Sequence, residues 1–125
     1  MFLPINSNSV FFFFASKNET LNNKIIEPRV PINLMKGENS KKKRICVGRT
    51  VSDCLSGIMD IKYNDILSIY LCNPDKDAIY FPTIIDVPDI YTTGEFWLTE
   101  PIKLKFVYKV QIINMYNNQF FYKKL

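Results

Sequence analysis

No histidine occurs among the 125 residues of this chain, and that absence excludes more chemistry than any single motif supplies. Ser-His and Cys-His nucleophile pairs, His-bearing zinc or iron sites and imidazole acid-base catalysis are all ruled out within the chain. Catalysis, if present, must use carboxylates, Lys, Arg, Tyr or hydroxyls. Cysteine is also sparse: Cys46, Cys54 and Cys72 show no Cys-x-x-Cys spacing, and any pairing leaves one thiol over. The expectation is buried free thiols in a reducing, cytoplasmic setting rather than a secreted disulfide framework. The four glycines form neither G-x-G-x-x-G nor G-x-x-x-x-G-K-[ST], so nucleotide-loop folds are unsupported. Long apolar runs are missing as well. The run at residues 10–15 is far too short to span a bilayer, and no Lys or Arg precedes it as a signal peptide would require, so no membrane partner is expected.

What is present is an ordinary globular balance, 47% apolar and 22% charged, in a length suited to one domain. Residues 1–9 have little pattern and are expected to be a loose extension before a single domain at residues 10–125. The net charge of +4 is banded. Residues 1–50 carry nine basic and three acidic side chains, residues 51–100 two and nine, and residues 101–125 five and none. The acidic middle must therefore meet the basic ends in the fold or leave a two-signed surface.

Residues 10–15 read as a first strand buried on both faces. Residues 16–43 hold Pro28, Pro31 and Gly37 without lasting periodicity, a long connection of the kind that often serves as a binding loop or flap. A short strand at residues 44–48 precedes a Thr50-x-x-Asp53 cap, after which Val51, Cys54, Leu55, Ile58 and Met59 recur at helical spacing. That predicts one amphipathic helix over about residues 51–59. Residues 66–72, 78–81 and 95–99 read as strands, with turn residues and prolines between them. Alternation from Ile102 through Leu104, Phe106, Tyr108, Val110 and Ile112 predicts one long strand with a single buried face, and residues 116–125 a last edge strand or a tail. The sum is an α+β domain, mainly antiparallel sheet with one helix.

Three features invite a chemical reading. Lys41-Lys42-Lys43-Arg44 could contact a polyanion such as nucleic acid, although no recognition motif accompanies it and such a run is commonly a solvated loop. All three arginines lie between positions 29 and 49 in a chain that otherwise prefers Lys; Arg29 and Arg44 offer planar forks for phosphate or carboxylate, or for a salt bridge to the acidic band. Glu95 opens a strand after Thr93-Gly94 and before Phe96-Trp97, so its carboxylate would emerge beside bulky aromatics with electrostatic leverage on a developing cation.

Phe12-Phe13-Phe14-Ala15-Ser16-Lys17-Asn18, Pro28-Arg29-Val30-Pro31-Ile32-Asn33, Arg44-Ile45-Cys46-Val47 through Ser52-x-Cys54-Leu55, and Val87-Pro88-Asp89 with Thr93-Gly94-Glu95-x-Trp97 occur in that order. In order and spacing they resemble a family of small, mostly uncharacterised phage and bacterial proteins similar to ADP-ribosyltransferases, with Leu-Tyr-His-Val-Ser, Pro-Arg-x-Pro, Arg-x-Cys and Thr-Gly-Glu-x-Trp elements. The resemblance spans about residues 11–113. It implies a split antiparallel sheet around a cleft for NAD or a related nucleotide, with transfer of ADP-ribose to a macromolecular target. It further implies that Glu95 holds the nicotinamide ribose and stabilises an oxocarbenium-like transition state. By the same resemblance Arg29 and Arg44 would hold the pyrophosphate, Ser16 a ribose, and Trp97 would wall the nicotinamide pocket. The family's first-strand His is Phe14 here, which can only stack or fill space. That departure leaves a second reading open: a non-enzymatic phage-type or anti-defence module docking on a host protein.

Overall fold

A computed structural model of the chain describes residues 10–32, 34–58, 60–116 and 119–125, so the expected N-terminal extension lies outside the described residues. The strands are β1 (Phe12–Ser16), β2 (Ile25–Ile26), β3 (Ile45–Gly48), β4 (Ile66–Cys72), β5 (Ile79–Tyr80), β6 (Glu95–Leu98), β7 (Ile102–Lys103), β8 (Lys105–Tyr116) and β9 (Gln119–Lys124). One short helix, α1 (Val51–Ser56), a single helical turn, α2 (Ile90–Thr93), and a 3-10 turn at Lys76–Ala78 complete the described elements. Seven strands form one antiparallel sheet in the order β5-β6-β3-β1-β4-β8-β9, while β2 and β7 pair apart from it. The domain is α+β and mostly antiparallel. Among the described residues no helix is long and apolar enough to cross a membrane.

Helix α1 starts where the sequence places it, because the Thr50 side-chain oxygen accepts the Asp53 N–H at 3.1 Å. It ends at Ser56, short of the expected residue 59, and Met59 lies outside the described residues. Its apolar positions Val51, Cys54 and Leu55 pack with Ala15, Leu67, Ile69, Val110 and Ile112 on one face of the sheet. On the other face Phe12, Ile45, Val47, Tyr70, Leu98 and Leu104 form a second core that β2 and β7 help to cover. Both faces of β1 and β3 are therefore buried, which explains the apolar run without alternation at the start of the chain.

The last third departs from its expected register. The alternation does not continue as one strand with one buried face: β7 and β8 are separate, and a shift at β4 pairs Tyr70 with Phe106 but Ile69 with Tyr108. Val107 is the extra residue. As a bulge it sends Leu104 and Phe106 to the second core's face and Tyr108, Val110 and Ile112 to the first. A period-two pattern cannot reveal such an insertion when both faces accept apolar side chains.

Packing of α1 on β3 depends on Gly48. A Cβ there would sit 2.5 Å from the Cys54 backbone N and 2.9 Å from Asp53. Gly48→Ala is therefore expected to cost about 3 kcal/mol through overpacking against backbone that cannot yield. A urea denaturation series on the two proteins checks this, and an unchanged midpoint would contradict the close approach of α1.

Candidate active site

Strands β1 and β3 share one register pair, Phe13 with Gly48. Beyond it β1 runs along β4 and β3 along β6, and no further pair joins the two. The sheet thus parts in its middle, and the cavity found there has a volume of about 760 Å³. Its walls include Phe14, Ala15 and Ser16 from β1 and Arg44, Ile45 and Cys46 from the β3 side. Cys54 of α1, Arg29 of the long connection, and Thr93 with Glu95 close it. Four residues singled out from the sequence, Ser16, Arg29, Arg44 and Glu95, border one space.

Glu95 owes its position to the residue before it. Gly94 ends α2 with φ of 59°, donating its N–H to Ile90 O, and its missing Cβ leaves room for the Asp53 carboxylate. This tight turn folds Thr93 back so that its hydroxyl donates to Glu95 Oε1 at 3.2 Å, while Trp97 Nε1–H donates to Oε2 at 2.9 Å. Both oxygens are held at a site only 7% exposed. Each keeps an accepting lone pair, so a hydroxyl in the cavity can still be bound.

Trp97 is not a wall of the cavity. It is fully buried, stacked on Tyr80 at 5.5 Å with the Arg44 guanidinium 4.0 Å above its ring. Its part is to hold Glu95 by the indole N–H. The placement follows from β6, where Glu95 and Trp97 alternate onto the same face and the cavity reaches only the former.

Arg44 is likewise more committed than its expected role allows. The isolated pairing of Arg29 with Arg44 brings the two residues side by side. The Arg44 guanidinium, 2% exposed, donates to Glu38 Oε2 at 2.6 Å and to the carbonyls of Asn39 and Lys42. Its ion pair is to Glu38, within the basic first band, and not to the acidic middle. Nε is the one guanidinium nitrogen without a partner in the protein, and it is buried. Arg29 is exposed and has no carboxylate in salt-bridge range among the described residues. Of the two arginines it is the one free to meet a ligand anion.

Sequence reading missed Glu38, Cys46 and Tyr80. Glu38 did carry a signal, being the only carboxylate between Glu27 and Asp53 in the most basic part of the chain. Cys46 borders the cavity beside Glu95 and Arg44. Burial first, then the negative charge of Glu95, pushes its thiol far above the ordinary range. Burial also raises Cys54 and Cys72 to about 12. All three are free.

At neutral pH these thiols stay protonated, and the thiolate is the reactive form. Maleimide labelling of Cys54 and Cys72 in the native protein should run on the order of a thousandfold slower than in urea. Raised folded-state values also give stability that is full below the unfolded thiol range and is lost as pH climbs from about 8.5 toward 12. Rapid labelling without denaturant would show that the packing around them is looser than described.

Comparison with family models, with curated proteins and with solved structures gives no match for this chain.

Proposed function

We propose that the chain binds NAD or a related nucleotide in the cavity between β1 and β3 and uses Glu95 to promote transfer of ADP-ribose to a macromolecular acceptor. The observation that carries this reading is the meeting of Ser16, Arg29, Arg44 and Glu95 around one space at the parting of an antiparallel sheet. The volume lies within the range of small-ligand sites. The donor set fits in part: exposed Arg29 can serve phosphoryl oxygens and Ser16 a ribose hydroxyl, while buried Arg44 holds the wall behind them.

The charge around the cavity is mainly negative once ion pairs are set aside. Glu38 is neutralised by Arg44, and Asp60 is paired with Lys17 at 3.7 Å. Glu27, Asp89 and Glu95 then remain against Arg29. That balance favours positive charge near Glu95, as a departing nicotinamide would develop, and leaves Arg29 as the cation able to meet a pyrophosphate. Glu95 accepts from the ribose hydroxyl, and its charge stabilises the positive charge that develops as nicotinamide leaves.

The test is release of nicotinamide from NAD by the purified chain, followed by chromatography. Release above the buffer rate supports the enzyme reading, and none at all rejects it. One observation favours the non-enzymatic alternative: Phe14 borders the cavity where the family has His. On that alternative NAD leaves the thermal midpoint unchanged while a host protein still binds. The C-terminal segment does not plug the cavity, since β9 pairs with β8 at the far edge of the sheet.

A further inference from the structure

The basic run and a group of exposed apolar residues, Phe81, Ile84 and Ile85, lie on loops that are tied together and that the proposed function does not use. Lys42 lies 4.2 Å from the centre of the Tyr80 ring, continuing the stack of Tyr80, Trp97 and Arg44. Lys42 and Arg44 are thus engaged with the sheet, whereas Lys41 and Lys43 are exposed, as is Lys36 a few residues earlier. This loop is tied to the one after β5. Asn39 N–H donates to Asp86 O at 2.8 Å, and the Asn39 side-chain amide donates to Asp86 Oδ1 at 3.0 Å. A Cβ on Gly37 would lie 3.2 Å from Pro88.

The tie is firm. Asp86 is 8% exposed and also accepts from Tyr80 Oη at 2.6 Å and from Thr83 N–H. Burial would raise its carboxyl, but these hydrogen bonds and the Lys42 charge outweigh it and hold the group below the usual carboxylate range. At the outer side of this anchored turn Ile84 is 55% and Ile85 85% exposed, with Phe81 at 66%.

We propose that the joined 36–43 and 81–88 loops dock on an anionic lipid bilayer, with Ile84 and Ile85 entering the acyl boundary while Lys36, Lys41 and Lys43 meet the headgroups. Two facts select this occupant. Adjacent aliphatic tips on a rigid turn are unsuited to a nucleic acid, which offers phosphates and stacking faces but no aliphatic surface. The carboxylates on these loops are spent within the fold, Asp86 on Asn39 and Tyr80 and Glu38 on Arg44, so the cations face outward unopposed. Exposed Asp75 and Asp77 lie at the opposite end of β5. The sequence expectation of no membrane partner rested on the lack of a spanning segment, and contact at the headgroup level departs from it.

Vesicle flotation of the full chain tests this, using phosphatidylcholine with roughly one-quarter phosphatidylglycerol against phosphatidylcholine alone. Binding to the anionic vesicles only, weakening with salt, is expected. Each charge removed at Lys36, Lys41 or Lys43 should lower the partition coefficient roughly fivefold. Ile84→Asp with Ile85→Asp should lower it at least about tenfold, and Ile85→Ser supplies the same comparison if the double variant folds poorly. Absence of flotation, or equal flotation with neutral vesicles, would overturn the proposal. So would competition by an oligonucleotide that persists in Ile85→Ser, because that would identify a nucleic-acid surface. None of these outcomes depends on NAD.

Discussion

Nicotinamide release is expected to fall roughly a hundredfold to a thousandfold in Glu95→Gln, with NAD-induced stabilisation retained. The substitution keeps the size of the side chain, and its amide oxygen can still accept from Trp97 Nε1–H, so the turn at Gly94 should be undisturbed. The negative charge is removed, and the second oxygen becomes an NH2 that can donate to the Thr93 hydroxyl once that hydroxyl rotates. A loss of rate without loss of binding would therefore separate a group that acts on developing charge from one that merely lines the space. Release at the wild-type rate would dismiss Glu95 from the chemistry, whatever the cavity binds.

The second large effect is on stability. Trp97 is fully buried and joins three partners: the Tyr80 ring, the Arg44 guanidinium and the Glu95 carboxylate. Trp97→Ala should cost about 3–5 kcal/mol, a fall of roughly 10–20 °C in Tm. Trp97→Phe keeps most of the stacking and loses only the donor to Glu95, so its cost should be about 1–2 kcal/mol. Calorimetry on the three proteins checks the order. A cost below about 1 kcal/mol for the alanine variant would mean that this stack does not hold the sheet half that carries Glu95.

Local signals in the sequence located elements well where a single physical cause decided them. The Thr50 cap and the spacing of Val51, Cys54 and Leu55 announce α1, and the bounded apolar run Ile66–Cys72 is β4 itself. Less was legible where two faces are buried at once. Val107 breaks an alternation that reads as one strand, because neither core penalises the change of face. The α2 turn was invisible: residues 82–94 read as loop from their prolines and Gly94, and one helical turn fits between such breakers.

The site shows the same division. Gly94 before Glu95 could be read as a tight turn, since few residues other than glycine accept that backbone conformation. The meeting of Arg44 with Trp97 could not, because it joins strands that are far apart in sequence and adjacent only in the sheet. Nor could the parting of β1 from β3. It arises from pairing choices across the whole sheet, with β4 taking β1 through five register pairs and β6 taking β3 through four. Charge banding gave partial guidance. Lys17 does reach Asp60 and Asp65 of the acidic band, whereas Arg44 and Lys109 find Glu38 and Glu19 in the basic first band.

The claim on which the rest depends is that the parted sheet is a nucleotide site, and thermal denaturation with and without NAD tests it most directly. At NAD concentrations about a hundredfold above the dissociation constant, Tm should rise by roughly 10 °C. Arg29→Glu should abolish the rise without lowering the unliganded midpoint. An unchanged wild-type midpoint at millimolar NAD, or an equal rise in Arg29→Glu, would contradict the account.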